Sequence, residues 1–492
     1  MLLLSTALVW FRRDLRLADN PALRSALDAH EHVVPVYIHA PQEEKNWRPG
    51  GATRWWLHHS LAALGAKLRH AGAPLILRSG DSLAELRALA RATGAQSVYW
   101  NRVYEPELID RDKKIKQALR DDGFIAESSQ AALCFEPWQL QTQGREPYRV
   151  FTPFWRNADA QLRQQLEEGR APLPAARSLK PAATQPESLA LDALELLPKI
   201  HWDAGLHEAW TVGEGGAHAR LEDFCKHAVA GYSANRDLPA VDGTSQLSPY
   251  LHFGEISPLQ IAARCERLFA ESHSAGVRKG GEHFLREVGW REFAHHLLYH
   301  FPQTPQRALN ARFDAFPWRS PSEYAANLNA WRQGRTGVPL VDAGMRQLWA
   351  TGWMHNRVRM IVGSFLTKNL LIPWQEGAAW FWDTLVDADL ANNTLGWQWI
   401  AGCGADAAPY FRVFNPVLQS QKFDGSGAYL RRWVPELAKL PDAAIHAPWL
   451  AKPEVLRSVG FTLGQHYPRP IVDLAESRER ALAAYQRIRS GD

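Results

Sequence analysis

From Ala7 to about residue 130, short apolar runs alternate with stretches of helical period. The runs ALVWF, VVPVYIHA, PLILRSG and SVYWN are rich in β-branched and aromatic residues at successive positions. That is the pattern of parallel strands buried on both faces. Between them, Arg54–His70, Ser82–Thr93 and Glu107–Asp121 repeat apolar residues at three- and four-residue spacing, as one-sided helices do. Strand and helix in alternation predict an α/β domain with a doubly wound parallel sheet. No G-x-G-x-x-G and no G-x-x-x-x-G-K-[ST] accompanies it, so the sheet brings neither a dinucleotide fingerprint nor a P-loop. The apolar start MLLLSTALVWF lacks the basic flank and small-residue cleavage site of a secretory signal and runs into RRDLR, so it reads as a buried strand.

From about Glu168 to Lys199 the chain turns rich in Pro and Ala (RAPLPAARSLKPAATQPE), the composition of a surface connector. After Gly215-Gly216 long helical periods dominate to about residue 435, and a last helix is expected near Leu474–Arg489. The expected organisation is an α/β domain over 1–130, a connector over 131–205 and a large all-α domain over 206–492. A length of 492 residues already asks for more than one core. With 46% hydrophobic and 22% charged residues the composition is globular, and no run of about 18 apolar residues offers a membrane span. Cys134, Cys225, Cys265 and Cys403 form no metal or disulfide pattern, which fits a reducing cytoplasm. A net charge of +4 permits a nucleic-acid partner without requiring one. Tryptophan, at 21 residues, is the compositional outlier.

The densest candidate chemistry lies between Thr351 and Pro416. Asp383, Asp387 and Asp389 neighbour the amides Asn392 and Asn393, Trp374, Trp380, Trp382, Trp397 and Trp399 crowd together, and Arg357, Arg359 and Arg412 add cations. Upstream, Thr244, Ser245 and Ser248 cluster after the Asp242-Gly243 turn, where a helix should begin. Such hydroxyls form either an anion site suited to phosphate or a plain capping segment. In EHFLREVGWREFAHHLLYH, Glu287, Trp290 and Arg291 fall at i, i+3 and i+4, one helix face with an acid, a large π surface and a cation. His295, His296 and His300 lack a metal-binding spacing, and no metal is expected. Asn356 and Met360 share another face. A Trp wall with an acid and an amide could hold a flat, carbonyl-bearing guest such as a nucleobase by stacking and hydrogen bonds. The alternative is an aromatic helical core with paired polar groups.

The order of motifs adds what single motifs cannot. VWFRRDLRLADNPAL, DGTSQLSPYLHFGEIS, VGWREF, TGWMHNRVRM, DADLANNTLGWQW and DAAPYFRVFNP together resemble the photolyase/cryptochrome family over nearly the whole chain. The chain looks most like its bacterial cyclobutane pyrimidine dimer photolyases, and RPGGATRWWLHHSL resembles the class III lineage near plant cryptochromes. The resemblance implies FAD, active in its reduced form, in the helical domain. Tyr232, Thr244, Ser245, Gln246, Leu247 and Ser248 match the phosphate-side motif, with Gln246 where many relatives have Arg or Lys. Phe284, Asn356, Arg359, Asp387, Ala388 and Asp389 match further cofactor positions, and Asn393 matches the residue facing flavin N5. An amide there suits a flavin kept as the reduced anion. For a lesion flipped from DNA, as enzymes working on a base do (photolyases among them), Glu287, Trp290, Asn356, Met360 and Trp399 match the pocket. Arg236, Arg357, Arg412 and Gln419 match phosphate or strand contacts, Arg291 is counted among the substrate and DNA residues, and QSQKFD replaces the commoner QGEKFD.

Trp397, Trp374 and Trp318 match the family's electron route to the flavin, while Trp380 and Trp382 are read as core. The sheet domain is expected to carry an antenna near Glu43, Glu44, Arg54, Trp55, Trp56 and His59, a methenyltetrahydrofolate or else an 8-hydroxy-deazaflavin or none. The implied activity is a deoxyribodipyrimidine photo-lyase, a carbon–carbon lyase driven by blue light. It would act as a cytoplasmic monomer on dimer-containing DNA, without a membrane or an obligate protein partner. A cryptochrome-type photoreceptor and a (6-4) photolyase are the alternatives inside the family.

Overall fold

In the computed structural model, which describes residues 4–407 and 411–490, the N-terminal apolar runs pair into one parallel sheet. Ala408, Pro409 and Tyr410 of the DAAPYFRVFNP motif lie outside the described residues. The strands are β1 (Leu4–Phe11), β2 (His30–His39), β3 (Ile76–Ser79), β4 (Ser97–Asn101) and β5 (Ile125–Ser129), in the order β3-β2-β1-β4-β5. Val9 of β1 pairs with Pro35 on one side and Tyr99 on the other, so the first apolar run becomes the centre of the sheet. Helices α1 (Pro21–Ala29), α2 (Gly51–His70), α3 (Ser82–Thr93) and α4 (Pro106–Asp121) connect the strands. Leu8, Trp10, Val34, Val36, Val98 and Trp100 pack with Leu86, Leu89, Ile115 and Leu119 in one apolar layer. Asp81 caps α3 by accepting from Ala84 N, and Asn20 caps α1 by accepting from Leu23 N. Sequence periodicity passes over α1 and β5. The first is short, and the second is an edge strand whose burial alternates.

The segment expected to be a connector is not all loop. Residues 151–167 form α5 (Phe151–Glu167), because Phe151, Phe154, Ala158 and Leu162 recur at helical spacing and are buried. The Pro/Ala-rich part beyond it has only one 3-10 turn, Leu191–Leu194. It is pinned to the α/β layer where Leu179 N donates to Ala71 O, Val33 N to Lys180 O and Leu189 N to Leu77 O.

Past β5, no strand longer than the single bridge Leu463–Tyr467 occurs among the described residues. The helices are α6 (Ala204–Ala209), α7 (Glu214–Asp223), α8 (Tyr232–Asn235), α9 (Ser248–His252), α10 (Pro258–Glu271) and α11 (Ala275–His300). After them come α12 (Pro321–Arg332), α13 (Pro339–Thr351), α14 (Asn356–Ser364), α15 (Trp374–Thr384) and α16 (Leu390–Ala401). The last are α17 (Pro416–Phe423), α18 (Ala428–Trp433), α19 (Asp442–Ile445), α20 (Pro453–Ser458) and α21 (Leu474–Ser490). Two compact units result: Met1–Gly231 with Ser245–Pro302 and Val386–Ala391, and Tyr232–Thr244 with Gln303–Leu385 and Asn392–Asp492. The first unit thus takes in α5 to α7 and α9 to α11 along with the sheet.

Candidate functional site

In the first unit, the Ser-rich turn and the aspartates converge. Gln246 adopts φ +51°, unusual for a residue with a side chain, and the turn brings Leu247 N to 3.4 Å from Ser245 Oγ. Ser248, opening α9, donates from Oγ to Asp387 Oδ2 at 2.6 Å. Asp389 is buried 3.4 Å from His295 Nε2 and 3.7 Å from His252 Nδ1. Burial alone would raise Asp389, but His295, His252 and Arg291 outweigh it and hold the carboxyl well below the usual carboxylate range. Burial lowers His252. Ala388 is buried between the two aspartates, and Phe284 packs its ring 4.6 Å from Phe224. No sequence signal joins His252 and His295 to Asp389, since they meet only in space.

On α11, Glu287 and Trp290 lie one turn apart. Trp290 is half-buried, with its ring stacked on Phe151 at 3.7 Å and 11°. Arg291, expected among the substrate and DNA residues, is turned inward. It is 8% exposed and spends NH1 on Ala132 O (2.7 Å) and NH2 on Leu251 O (3.4 Å), so it braces backbone rather than facing a phosphate. The histidines of this helix are paired as well. His295 Nδ1 meets Arg291 O, His296 Nδ1 and His300 Nε2 meet Pro137 O, and Tyr148 N donates to His296 Nε2. Among the described residues no His, Cys, Asp and Glu group is placed to hold a metal ion.

In the second unit, Tyr232 is buried under the Arg236 guanidinium, 5.4 Å above its ring, and Thr244 is half-buried. Asn356 begins α14, with Arg357, Arg359 and Met360 behind it. Arg357 donates to Asp237 Oδ2 at 2.7 Å, lies 3.9 Å from Met360 Sδ and covers the Phe423 ring at 4.6 Å. Arg359 Nε donates to Met354 O at 2.7 Å. Burial pushes His355, the N-cap of α14, down to about 4. Gln419 stands on α17, Trp399 on α16, and Arg412 is exposed. Lys368 donates to the Arg412 carbonyl at 2.5 Å and lies 4.3 Å above Phe411.

The same unit holds the amide and the tryptophans. Asn393 Nδ2 donates to Ala378 O at 3.0 Å, which leaves its carbonyl turned the other way. Trp397 is buried, its ring 4.9 Å from Phe381 and 6.3 Å from Trp331, and its Nε1 has no partner among the described residues. Trp374 is buried at the start of α15, and Trp318 is half-buried 4.4 Å from Phe316. Trp382 is buried. Trp380 instead stacks at 6.1 Å on Trp349, which is 56% exposed, under Arg332. It is thus nearer the surface than a core reading implies.

Each unit by itself offers polar groups of the kind a nucleotide cofactor takes: the Ser245 hydroxyl and the Ser248–Asp387 pair in the first, and the Arg359 cation, the Asn393 amide and the Trp397 Nε1 in the second.

The six antenna candidates meet different partners. Glu43 accepts from Ser82 N (2.8 Å), Ser82 Oγ (2.7 Å) and Arg111, and Glu44 accepts from Arg13 at 2.8 Å. Burial raises Glu44. Arg54 is exposed on α2. Trp55 is buried, with Nε1 3.3 Å from His207 Nε2 and its ring 4.6 Å from His59, which burial pushes down to about 4. Trp56 is core, with no exposed surface, packed on Trp210, Tyr250 and Phe253, and its Nε1 donates to Glu255.

Comparison with known proteins shows the family. Residues 7–177 match the family described as DNA photolyase, and 284–487 match the FAD binding domain of DNA photolyase. A deoxyribodipyrimidine photo-lyase of Agrobacterium fabrum is 49% identical over 98% of both chains. Cryptochrome-2 of Arabidopsis thaliana is 40% identical over 98% of this chain and 79% of its own. The crystal structure of a bacterial class III photolyase from Agrobacterium tumefaciens superposes with a TM-score of 0.91 at 48% identity, covering 100% of this chain and 99% of that one. By motif order, fold and kinship over its whole length, this chain belongs to the photolyase/cryptochrome family.

Proposed function

We propose that this protein is a DNA photolyase that repairs cyclobutane pyrimidine dimers under blue light. The observation that carries the reading is the α11 face. There Glu287 lies one turn from Trp290, whose indole plane is braced from behind. An acid beside a fixed aromatic wall is what an extruded, carbonyl-bearing pyrimidine dimer needs. Reduced FAD supplies, when bound and excited, the electron that opens the cyclobutane ring and that returns afterwards.

Tyr232, Thr244, Ser245, Gln246, Leu247 and Ser248 bind the phosphate side of this cofactor, with Phe284, Asn356, Arg359, Asp387, Ala388 and Asp389 around the rest. Asn393 faces the flavin ring as an amide, which holds no ready proton. Trp397, Trp374 and Trp318 relay reducing electrons, for which indoles serve because they oxidise readily and tolerate burial. Glu287 hydrogen-bonds the dimer and stabilises its charge, Trp290 and Trp399 flank it, and Asn356 and Met360 complete its seat. Arg236, Arg357, Arg412 and Gln419 hold the DNA strand. Residues 1–130 carry the antenna, a folate in our reading, and 206–492 the cofactor. The protein works as a monomer in the bacterial cytoplasm. Among the described residues no helix is long and apolar enough to cross a membrane.

The test is loss of dimer from a dimer-containing oligonucleotide under blue light with fully reduced, FAD-loaded protein. No loss of dimer refutes the reading, and repair of a (6-4) oligonucleotide instead moves the substrate within the family. Absorption of blue light without repair of either lesion favours the photoreceptor.

A further inference from the structure

The contact behind Trp290 is closer than two aromatic rings choose on their own. Phe151 and Trp290 lie nearly face to face, with centroids 3.7 Å apart and planes 11° from parallel. Isolated rings avoid that overlap, since their negative faces repel, and settle offset or edge-on. Three features of the first unit impose it. Gly289, the residue before Trp290, lets α5 come close, because a Cβ there would stand 2.2 Å from Trp155 Cε3. Trp155 runs parallel to Phe151 at 7°, one helical turn on, and so backs the stack. The Arg286 guanidinium lies 5.2 Å from the Phe151 ring, where a cation withdraws π density and eases the face-to-face contact. Phe293 closes the edge, T-shaped to both rings.

Phe151 has no exposed surface, whereas Trp290 is half-buried. Phe151 therefore cannot touch DNA itself; it acts on whatever Trp290 touches. We propose that Phe151 is a positioning residue for damage recognition. By covering one face of Trp290, it fixes the plane of the indole and leaves one face to stack on an extruded pyrimidine dimer. The indole's rotamer is settled before binding, so a bound dimer does not bear the cost of ordering it. This rests on the reading that Trp290 walls the dimer.

The test uses the full-length, FAD-loaded protein and measures Kd in the dark for dimer-containing and undamaged duplexes, together with single-turnover repair at saturating DNA. Phe151→Leu is expected to weaken dimer binding by roughly two- to tenfold, the size of one aromatic pair. Affinity for undamaged duplex, its salt dependence and repair at saturation should not change. In a Trp290→Ala background the same change should cost nothing further, because its effect passes through the indole. An equal loss in that background, a parallel loss on undamaged DNA, or no loss at all overturns the proposal. If Trp290→Ala itself keeps full preference for the dimer, the assignment of Trp290 to the lesion fails first, and separately. Should Phe151→Leu not load FAD, Phe151→Met, close in volume and without a ring plane, goes through the same arms.

Discussion

Gly377→Ala puts one methyl group against the indole of Trp397, which in our reading belongs to the electron route. A Cβ at Gly377 on α15 would stand 2.1 Å from Cη2 of Trp397, with Cζ3 and Cζ2 at 2.5 and 2.6 Å. Real carbon atoms do not approach so closely, so the indole or the helix must move. The indole has little room. Phe381 meets it edge-on at 4.9 Å, Trp331 stands at 6.3 Å, and Gly363 backs it closely enough that a Cβ there would lie 3.4 Å from Cζ3. Overpacking of this kind costs about 1–3 kcal/mol. Alanine is the better helix former by up to about 1 kcal/mol, which offsets part of that cost. The net expectation is a loss of about 1–2 kcal/mol. Moving α15 also shifts Ala378, whose carbonyl holds the Asn393 amide, so flavin photoreduction should slow as well. The assay is urea unfolding of the FAD-loaded protein followed by tryptophan fluorescence, beside the rate of photoreduction under blue light. Gly65→Ala on α2 is the control for propensity, since its new methyl would meet only Leu75 Cβ at 3.9 Å, and it should be neutral or stabilising. If Gly377→Ala matches or exceeds the wild-type midpoint while Gly65→Ala behaves as expected, the indole yields freely and the packing argument is refuted.

Two further outcomes follow from buried charge. Burial pushes Glu255 up to about 8 from 4.5, against the pull of Ser60, Trp56 and the Gly213 N–H. Because the folded state keeps the proton, this group's stability is full below about pH 4.5 and is lost as pH rises through 8, by on the order of 5 kcal/mol. Glu255→Gln should flatten that fall in unfolding midpoints measured from pH 4.5 to 8.5, and an unchanged slope would sink the assignment. Lys368 runs the other way. Burial lowers it to about 7 from 10.5, so the unfolded chain binds the extra proton and stability should climb between pH 7 and 10.5. Lys368→Met should remove the climb, and a climb that persists means another group carries it.

The residues themselves determine a good deal. Runs such as ALVWF and SVYWN predict buried strands because a strand covered on both faces has no polar side to show, and β1 and β4 occupy the middle of the sheet. Helical period alone locates α2, α3 and α4 to within a few residues. The edge strand β5 carries too few apolar positions for a period to register, and α1, although Ala22, Leu23 and Ala26 are buried at helical spacing, spans only 9 residues. Motif order identifies the family, because six spaced motifs coincide where none is convincing singly.

What only the tertiary structure decides is which partners the chemistry meets. Asp387 and Asp389 are legible as a pair, but Ser248, 139 positions away, and the imidazoles of His252 and His295 appear only when the chain folds. Glu287, Trp290 and Arg291 share a helical face by spacing, yet Arg291 turns to the carbonyls of Ala132 and Leu251 while Trp290 meets Phe151. A helix period states which side of a helix a residue leaves from. It says nothing of what stands opposite, and there contact distances set which charges pair, which rings are held and which groups titrate out of their usual range.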